Sequence, residues 1–381
     1  MIKLGYDGKR AFFNNTGLGN YSRDTIRVVS KNFTNNKYYI YTSNDSKNER
    51  LDFINSNKNI YIKTPKNLFY KSFDILWRSK KVVDDLLNDE IDIYHGLSNE
   101  IPYGIEATGI KTIVTIHDLI FIRYPNLFNP FDRYIYFKKF KSACERANKI
   151  IAVSKQTKRD IIKFFNISEE KITVIYQGCN NIFQKEIAIE KQNQVAKKYN
   201  LPNKFLLYVG TIEERKNLLN LLKAIKKIPN QKLVVVGNGK NYKKKCLKYI
   251  QVNNLEKNIL FINNLSLNEI RAIYAKAEIM IYPSIFEGFG IPILEALFSK
   301  VPVITSKDGC FSEAGGPHTS YINPLSSEDI KNAILKIQSS SEIKNKMIRN
   351  GYAYAQNFTD EKIAINLMNL YKSLWKLLMK H

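Results

Sequence analysis

Short runs rich in valine, isoleucine and tyrosine alternate with amphipathic helical patterns along nearly the whole chain, which leaves few architectures open. A strand, a helix and a second strand pack as a parallel sheet with helices on its faces. In the first half the runs are IKLGYD, YYIYT, NIYIK, IDIYH, KTIVTIHD, KIIAVS and KITVIY, with helices expected from about Asn20, Ser72, Phe131 and Ser154. In the second they are KFLLYVG, KLVVVG, NILFI, IMIYPS and PVITS, with helices expected from about Asn217, Asn241, Ser266, Ile291, Ser327 and Ser341. The fold class is α/β throughout, and the two halves repeat one architecture without repeating a sequence.

At 381 residues the chain is too long for one ordinary core and suits two. The stretch after Gln177 lacks a strand period and ends in Leu201-Pro202-Asn203, so a linker is expected near Gly178 to Asn200. The expected division is residues 1–180, residues 181–357 and a closing helix over 358–381. Ile363, Leu367, Leu370, Tyr371, Leu374 and Leu378 follow helical spacing there, so this helix must dock, and the first domain is its expected partner.

A content of 44% hydrophobic and 25% charged residues is that of a folded globular chain. The amino end is too short in apolar residues for a secretory signal, and the longest apolar run is broken by His117 and Asp118, so no membrane span is expected. Cys144, Cys179, Cys246 and Cys310 are scattered without metal-ligand spacing, which predicts a reducing, cytoplasmic setting and no metal. Lys and Arg outnumber Asp and Glu by 59 to 35, so anionic partners are expected. The excess is spread over both halves and forms no recognisable nucleic-acid module, so a nucleic-acid-binding protein is a rival that rests on charge alone.

The stretch SIFEGFGIPILEAL, Ser284 to Leu297, sets two glutamates around glycines at a strand-to-helix turn. Gly288, Phe289 and Gly290 stand where a helix starts, and a helix start favours phosphate through its free N–H groups and its dipole. A carboxylate would repel that phosphate on direct contact. Glu287 and Glu295, the latter expected in the first helical turn, therefore read as acceptors for sugar hydroxyls on either side of a diphosphate. Taken singly, each glutamate reads equally as a turn residue or a solvated helix residue. In TIEERKNLLNLL, Arg215 and Lys216 follow a strand and are placed to neutralise a diphosphate, arginine in bidentate fashion. In NNTGLGNYSRDTI, Gly17 and Gly19 mark a loop near phosphate or acceptor, or a plain tight turn. His117 closes TIVTIHD as a hydrogen-bonding group in a cleft or as a satisfied core histidine, and Ser154 reads as a helix cap.

Together, TGLGNYSR, YHGLSNEIP, TIHDL, IIAVSKQTKRDI, YVGTIEERKNL, VVVGNGK and FEGFGIPILEAL resemble, in order and over nearly the whole chain, the retaining glycosyltransferases of the glycogen-synthase and mannosyltransferase-like family. HGLS and RKN are similar to the bacterial polysaccharide branch. The resemblance implies the GT-B fold, two Rossmann-like domains facing a cleft, with the acceptor on the first and a nucleoside diphosphate sugar on the second. It implies that Glu287 meets the donor hexose, Glu295 the ribose, and the amides near Phe289 and Gly290 the diphosphate, beside Arg215 and Lys216. It places His117 near the transferred sugar and makes His117, Lys216 and Glu287 the catalytic set. Thr211 departs from the family's common form, in which arginine follows the strand's glycine, and Gln177-Gly178 stands where Asn-Gly is common.

The expected activity is hexose transfer with retention to a glycan or lipid-linked acceptor in cell-surface polysaccharide synthesis, with no cofactor, no metal and no nucleic acid. A nucleotide-sugar epimerase or a phosphorylase on the same fold is the alternative, although no pyridoxal lysine site is evident. PKNLFYKSFDILWRSKK reads as one helix with Phe69, Phe73, Leu76 and Trp77 on one face, flanked by Lys66, Lys71, Arg78, Lys80 and Lys81 with Asp74 the acid among them. Such a face suits the anionic inner surface of the cell membrane, and equally a core helix with a solvated basic side.

Overall fold

The computed structural model describes residues 1–14, 16–45 and 49–378. The chain forms two compact units, Met1–Gly178 with Asp360–His381, and Cys179–Thr359.

The first unit is built on seven strands: β1 Lys3–Asp7, β2 Lys37–Tyr41, β3 Ile60–Lys63, β4 Ile93–Gly96, β5 Lys111–Ile116, β6 Lys149–Ala152 and β7 Ile172–Val174. They lie parallel in the order β3-β2-β1-β4-β5-β6-β7. β4 and β6 are buried nearly throughout, because helices cover both faces of a parallel sheet. At the edge, β3 leaves Tyr61 and Ile62 exposed. The order reverses between β1 and β4, and ligands of such sheets bind outside the strand ends at a reversal.

The first long helix starts at Gly17, earlier than Asn20, and runs to Asn32. Its start is held by Asn14, whose Oδ1 accepts from the Thr16 and Gly19 backbone N–H groups at 2.8 and 3.2 Å. Buried Arg23 reaches back to donate to the Ala11 and Asn14 carbonyls. A Cβ at Gly19 would lie 1.8 Å from the Asn14 carbonyl oxygen, so this close approach requires glycine, whereas Gly17 faces open space.

The helix expected from Ser72 is broken into Leu68–Ser72, Asp74–Leu76, a π-helical turn Trp77–Lys81, and Val82–Asn88. The wider turn admits an extra residue, and adjacent Trp77 and Arg78 both reach inward. The buried Trp77 indole donates to Asp85 at 2.7 Å, and Arg78 pairs with Asp7 at 2.8 Å. Phe69, Phe73 and Leu76 remain exposed, so Trp77 and Arg78 drop out of the amphipathic face expected from the sequence.

The closing helix Asp360–Leu378 packs on the first unit. Arg27 on the helix Gly17–Asn32 pairs with Asp360 at its start. Further along, Tyr371 joins a buried chain of hydroxyls and imidazole: Tyr6 Oη lies 3.5 Å from Tyr371 Oη, Tyr371 Oη 2.8 Å from His95 Nδ1, His95 Nε2 2.7 Å from Thr115 Oγ1, and Thr115 Oγ1 2.9 Å from Tyr21 Oη.

The second unit has six parallel strands: β8 Leu206–Val209, β9 Leu233–Val236, β10 Ile259–Ile262, β11 Ile279–Tyr282, β12 Val303–Ser306 and β13 Ser320–Ile322. Their order is β10-β9-β8-β11-β12-β13, reversing between β8 and β11. Two features differ from expectation. β13 lies in HTSYINP, where polar residues and proline leave no apolar run to mark a strand. The expected linker instead carries the helix Ile189–Lys198, whose sparse apolar residues hide its period; it packs on the helix Leu267–Lys276, where Lys198 and Tyr199 meet Glu269 at 2.7 and 2.8 Å.

Tyr371→Phe removes the hydroxyl that satisfies His95 Nδ1 in a buried site and is expected to cost about 1–3 kcal/mol. Urea unfolding measures this directly; an unchanged midpoint would contradict it.

Candidate functional site

The second unit concentrates charge where its strand order reverses. After β8, Gly210 takes φ +148, and after β9 Gly237 takes φ +151; a Cβ at Gly237 would lie 1.9 Å from the Gly210 carbonyl oxygen, so the two strand ends nearly touch. The chain then makes a 3-10 turn, Glu214–Lys216, and passes through left-handed Asn217 into the helix Leu218–Ile225. Arg215 and Lys216 thus precede that helix instead of opening it. Buried Asn217 donates to the Pro283 and Pro324 carbonyls at 3.1 and 2.6 Å, fastening this turn to the end of β11. The Ile285 N–H donates to the Arg215 carbonyl at 2.7 Å.

This fastening brings three of the sequence candidates into contact. Glu287 Oε1 lies 2.7 Å from both Arg215 Nη1 and Lys216 Nζ, and accepts from the Ser284 hydroxyl at 2.5 Å. Lys216 also donates to the Tyr282 hydroxyl, and Arg215 to the Phe286 carbonyl. Lys216 is 7% exposed. Burial pushes the Glu287 carboxyl up, but Lys216 and Arg215 outweigh it and hold the group down at about 2. Burial draws the Lys216 ammonium below its ordinary value, with Glu287 opposing. Carboxylate and cations are paired at 2.7 Å, and removing one would strand the other in a buried place.

Gly290, at φ +111, caps the helix Ile291–Phe298, with proline in its first turn. The loop before it is pinned by the Cys310 thiol, which donates to the Glu287 and Phe289 carbonyls, both at 3.2 Å. Phe289 is buried and packs against Phe358. Its side chain is core, so only backbone from Gly288 to Gly290 is offered to a ligand. Glu295 is the fifth residue of its helix, beyond the first turn expected for it, because the helix begins at Ile291. It accepts from the buried Tyr274 hydroxyl at 2.8 Å.

In the first unit His117 is buried, and both ring nitrogens are engaged. Nε2 lies 2.9 Å from the Leu97 carbonyl and Nδ1 3.1 Å from Gln177 Nε2, which fixes a neutral ring with its proton on Nε2. Its backbone N–H donates to Asn99 at 3.0 Å, and Tyr21 meets the ring edge-on with centroids 4.6 Å apart. Burial pushes His117 down to about 4, the Leu97 carbonyl opposing and Arg10 adding to the fall. Ser154 caps its helix through the Thr157 N–H.

Sequence reasoning missed Ser284, Tyr282, Tyr274, Cys310 and Gln177. Tyr282 and Ser284 carry a usable signal: they close the strand run that leads directly into the Glu287 turn. Gln177 carried none, and Tyr274 and Cys310 come from elements remote in sequence. Among the described residues no group of three or more His, Cys, Asp or Glu side chains is placed to hold a metal ion.

Burial also takes His95 down to about 3, with His117 acting in the same direction. Both folded values lie below the ordinary 6.5, so their contribution is complete above about pH 6.5 and is lost as pH falls towards 4. The urea midpoint is expected to fall between about pH 7 and about pH 5.5, less steeply in His117→Gln. A midpoint flat over that interval would contradict the assignment of two neutral buried imidazoles.

The sequence matches two family models, Glycosyltransferase Family 4 over residues 17–181 and Glycosyl transferases group 1 over residues 190–354. It is 30% identical over 254 residues to an O-antigen chain mannosyltransferase of Salmonella typhimurium, covering 65% of this chain and 66% of that one. It is 27% identical to the Escherichia coli O-antigen chain mannosyltransferase B, covering 74% of each. The chain thus spans just under two thirds of the Salmonella protein and about three quarters of the other. In fold it is similar to sucrose-phosphate synthase from Thermosynechococcus elongatus, with TM-score 0.80, 18% identity, and 99% and 100% of the two chains covered. An Anabaena protein in complex with UDP and glucose gives TM-score 0.76 at 17% identity, with 98% and 100% covered.

Proposed function

Since this chain belongs to the GT-B glycosyltransferases, its two units matching the family 4 and group 1 models in turn, we propose that it moves a hexose from a nucleoside diphosphate sugar to a glycan or lipid-linked acceptor, with retention of anomeric configuration. The names of its O-antigen relatives favour cell-surface polysaccharide synthesis as the setting. The observation that carries the reading is the cluster of Lys216, Arg215 and Glu287 at the β8/β11 reversal, beside a glycine-capped helix start.

In this reading Lys216, Arg215 and the backbone from Gly288 to Gly290 hold the diphosphate and stabilise its charge as it leaves. Glu295, steadied by Tyr274, accepts from the ribose, and Glu287 from the hexose. The bond from the anomeric carbon to the diphosphate lengthens and positive charge develops on that carbon. The acceptor hydroxyl then attacks the face the diphosphate leaves, and its proton passes to the departing phosphate oxygen. Glu287 thus positions sugar and cations, and no glutamate serves as nucleophile. The first unit takes the acceptor. There the neutral His117 ring, its nitrogens taken by the Leu97 carbonyl and Gln177, is a positioning group that fixes the strand ends meeting the acceptor. The segment expected as a loop at Gly17 and Gly19 is instead the first turn of the helix Gly17–Asn32, with Gly19 fixed by packing. Neither a cofactor nor a metal is required, since side-chain cations and helix-start amides neutralise the leaving group.

Lys216→Ala is expected to cut turnover about 100-fold or more and to weaken nucleoside diphosphate binding. Glu295→Gln should chiefly raise the nucleotide dissociation constant, about tenfold, and Glu287→Gln should impair transfer more than binding of the bare diphosphate. Wild-type turnover should survive EDTA. Full turnover and affinity in both Lys216→Ala and Glu295→Gln would refute the site, and an activity lost to EDTA and restored by magnesium or manganese would refute metal independence.

We further propose that the acceptor is met at an anionic membrane surface. Among the described residues no helix is long and apolar enough to cross a membrane. Phe69, Phe73, Ile75 and Leu76 are exposed together, and a groove of about 620 Å³ beside them is lined by Phe69, Tyr70, Leu76, Lys80, Lys81 and Tyr103. Apolar side chains rimmed by lysines suit acyl chains beneath anionic headgroups, each basic residue adding about 1 kcal/mol near the surface. The protein is expected to sediment with anionic vesicles at low salt, and less so when Lys80 and Lys81 become Glu. Equal recovery in the supernatant with and without such vesicles would refute it.

A further inference from the structure

Arg215 is shared by two carboxylates of different character. Its Nη1 lies 2.7 Å from Glu287 Oε1 and its Nη2 2.8 Å from Glu213 Oε1. Glu287 is buried and bound also by Lys216 and Ser284. The Glu213 side chain is 45% exposed, and its Oε1 is oriented by the Thr211 hydroxyl, which donates at 3.0 Å. Thr211 follows directly on Gly210 at the strand end, so the β8 loop itself sets this second acid against the guanidinium. In a chain of formal charge +24, the cluster's two cations are matched by two acids, and the local sum is zero. The carboxylate nearer solvent is the one an arriving anion can displace at least cost, since it regains water on leaving.

We propose that Glu213 is a built-in competitor of the phosphate group for Arg215, which keeps the nucleoside diphosphate from binding too tightly to leave. The proposal rests on the donor-site reading given above. Binding the diphosphate exchanges the Glu213–Arg215 pair for a phosphate–Arg215 pair, and product departure restores the first. Glu213 so acts on affinity and release through Arg215, without touching the reacting carbon.

Glu213→Gln keeps an oxygen for Thr211 and removes the charge. With UDP and GDP as probes, titration calorimetry should show the nucleotide that binds the wild-type chain binding Glu213→Gln about three- to tenfold more tightly. The gain should shrink as salt rises through the screening range. Stopped-flow displacement should find the increase in slower dissociation. Unchanged or weaker binding by Glu213→Gln, alongside lost binding by Lys216→Ala, overturns this proposal and leaves the donor site standing. Full nucleotide binding by Lys216→Ala, or none by the wild-type chain, overturns the donor site and this proposal with it. Equal melting temperatures of the Gln variant and the wild type confirm that the comparison is between folded proteins.

Discussion

A carboxylate and an ammonium buried side by side must each answer for the other's loss of water, and Glu287 with Lys216 sets this condition for the second unit. Each neighbouring feature helps meet it. Ser284 and Arg215 add donors to the same oxygen, and Tyr282 accepts from Lys216. Asn217 and the Ile285 N–H tie the β8 and β11 loops so that the charges cannot drift apart. Cys310 fixes the loop that follows. The result is a preorganised set of cations at the end of a parallel sheet, which is what stabilising a departing diphosphate needs.

The first unit answers the same constraint differently. At its sheet reversal the end of β1 carries one buried ion pair, Asp7 with Arg78, and beside it an uncharged chain from Tyr6 through Tyr371, His95 and Thr115 to Tyr21 joins its polar groups by hydrogen bonds. His117 sits against the end of that chain, neutral, with both nitrogens occupied. A neutral imidazole bonded at both nitrogens ties Leu97 and Gln177 together without needing a counter-ion in a buried place. Tyr371 comes from the closing helix, so the last segment of the chain completes the polar interior of the unit that opens it.

The sheets were largely legible because strands buried on both faces leave near-continuous apolar runs, as LVVV and IMIY do in β9 and β11. β13 and the helix Ile189–Lys198 were not: the equally short edge strand β7 lies in the apolar run KITVIY, whereas β13 lies in HTSYINP, where polar residues and proline break the run, and the helix is mostly polar. The π-helical turn at Trp77 was illegible for another reason: only tertiary partners, Asp85 and Asp7, explain why Trp77 and Arg78 turn inward together. At the site, the Glu287 loop and the Arg215-Lys216 turn were readable from their places after strands. Their direct pairing was not, because sequence order says nothing about which side chains from two adjacent strand ends will meet.

The central claim is that this cluster receives the diphosphate of a nucleotide sugar. A crystal structure with a bound nucleoside diphosphate tests it most directly. The account predicts phosphate oxygens within hydrogen-bonding distance of Lys216 Nζ and the Arg215 guanidinium, with ribose hydroxyls on Glu295. Nucleotide bound elsewhere, with Lys216 and Arg215 making no contact to it, would contradict the account.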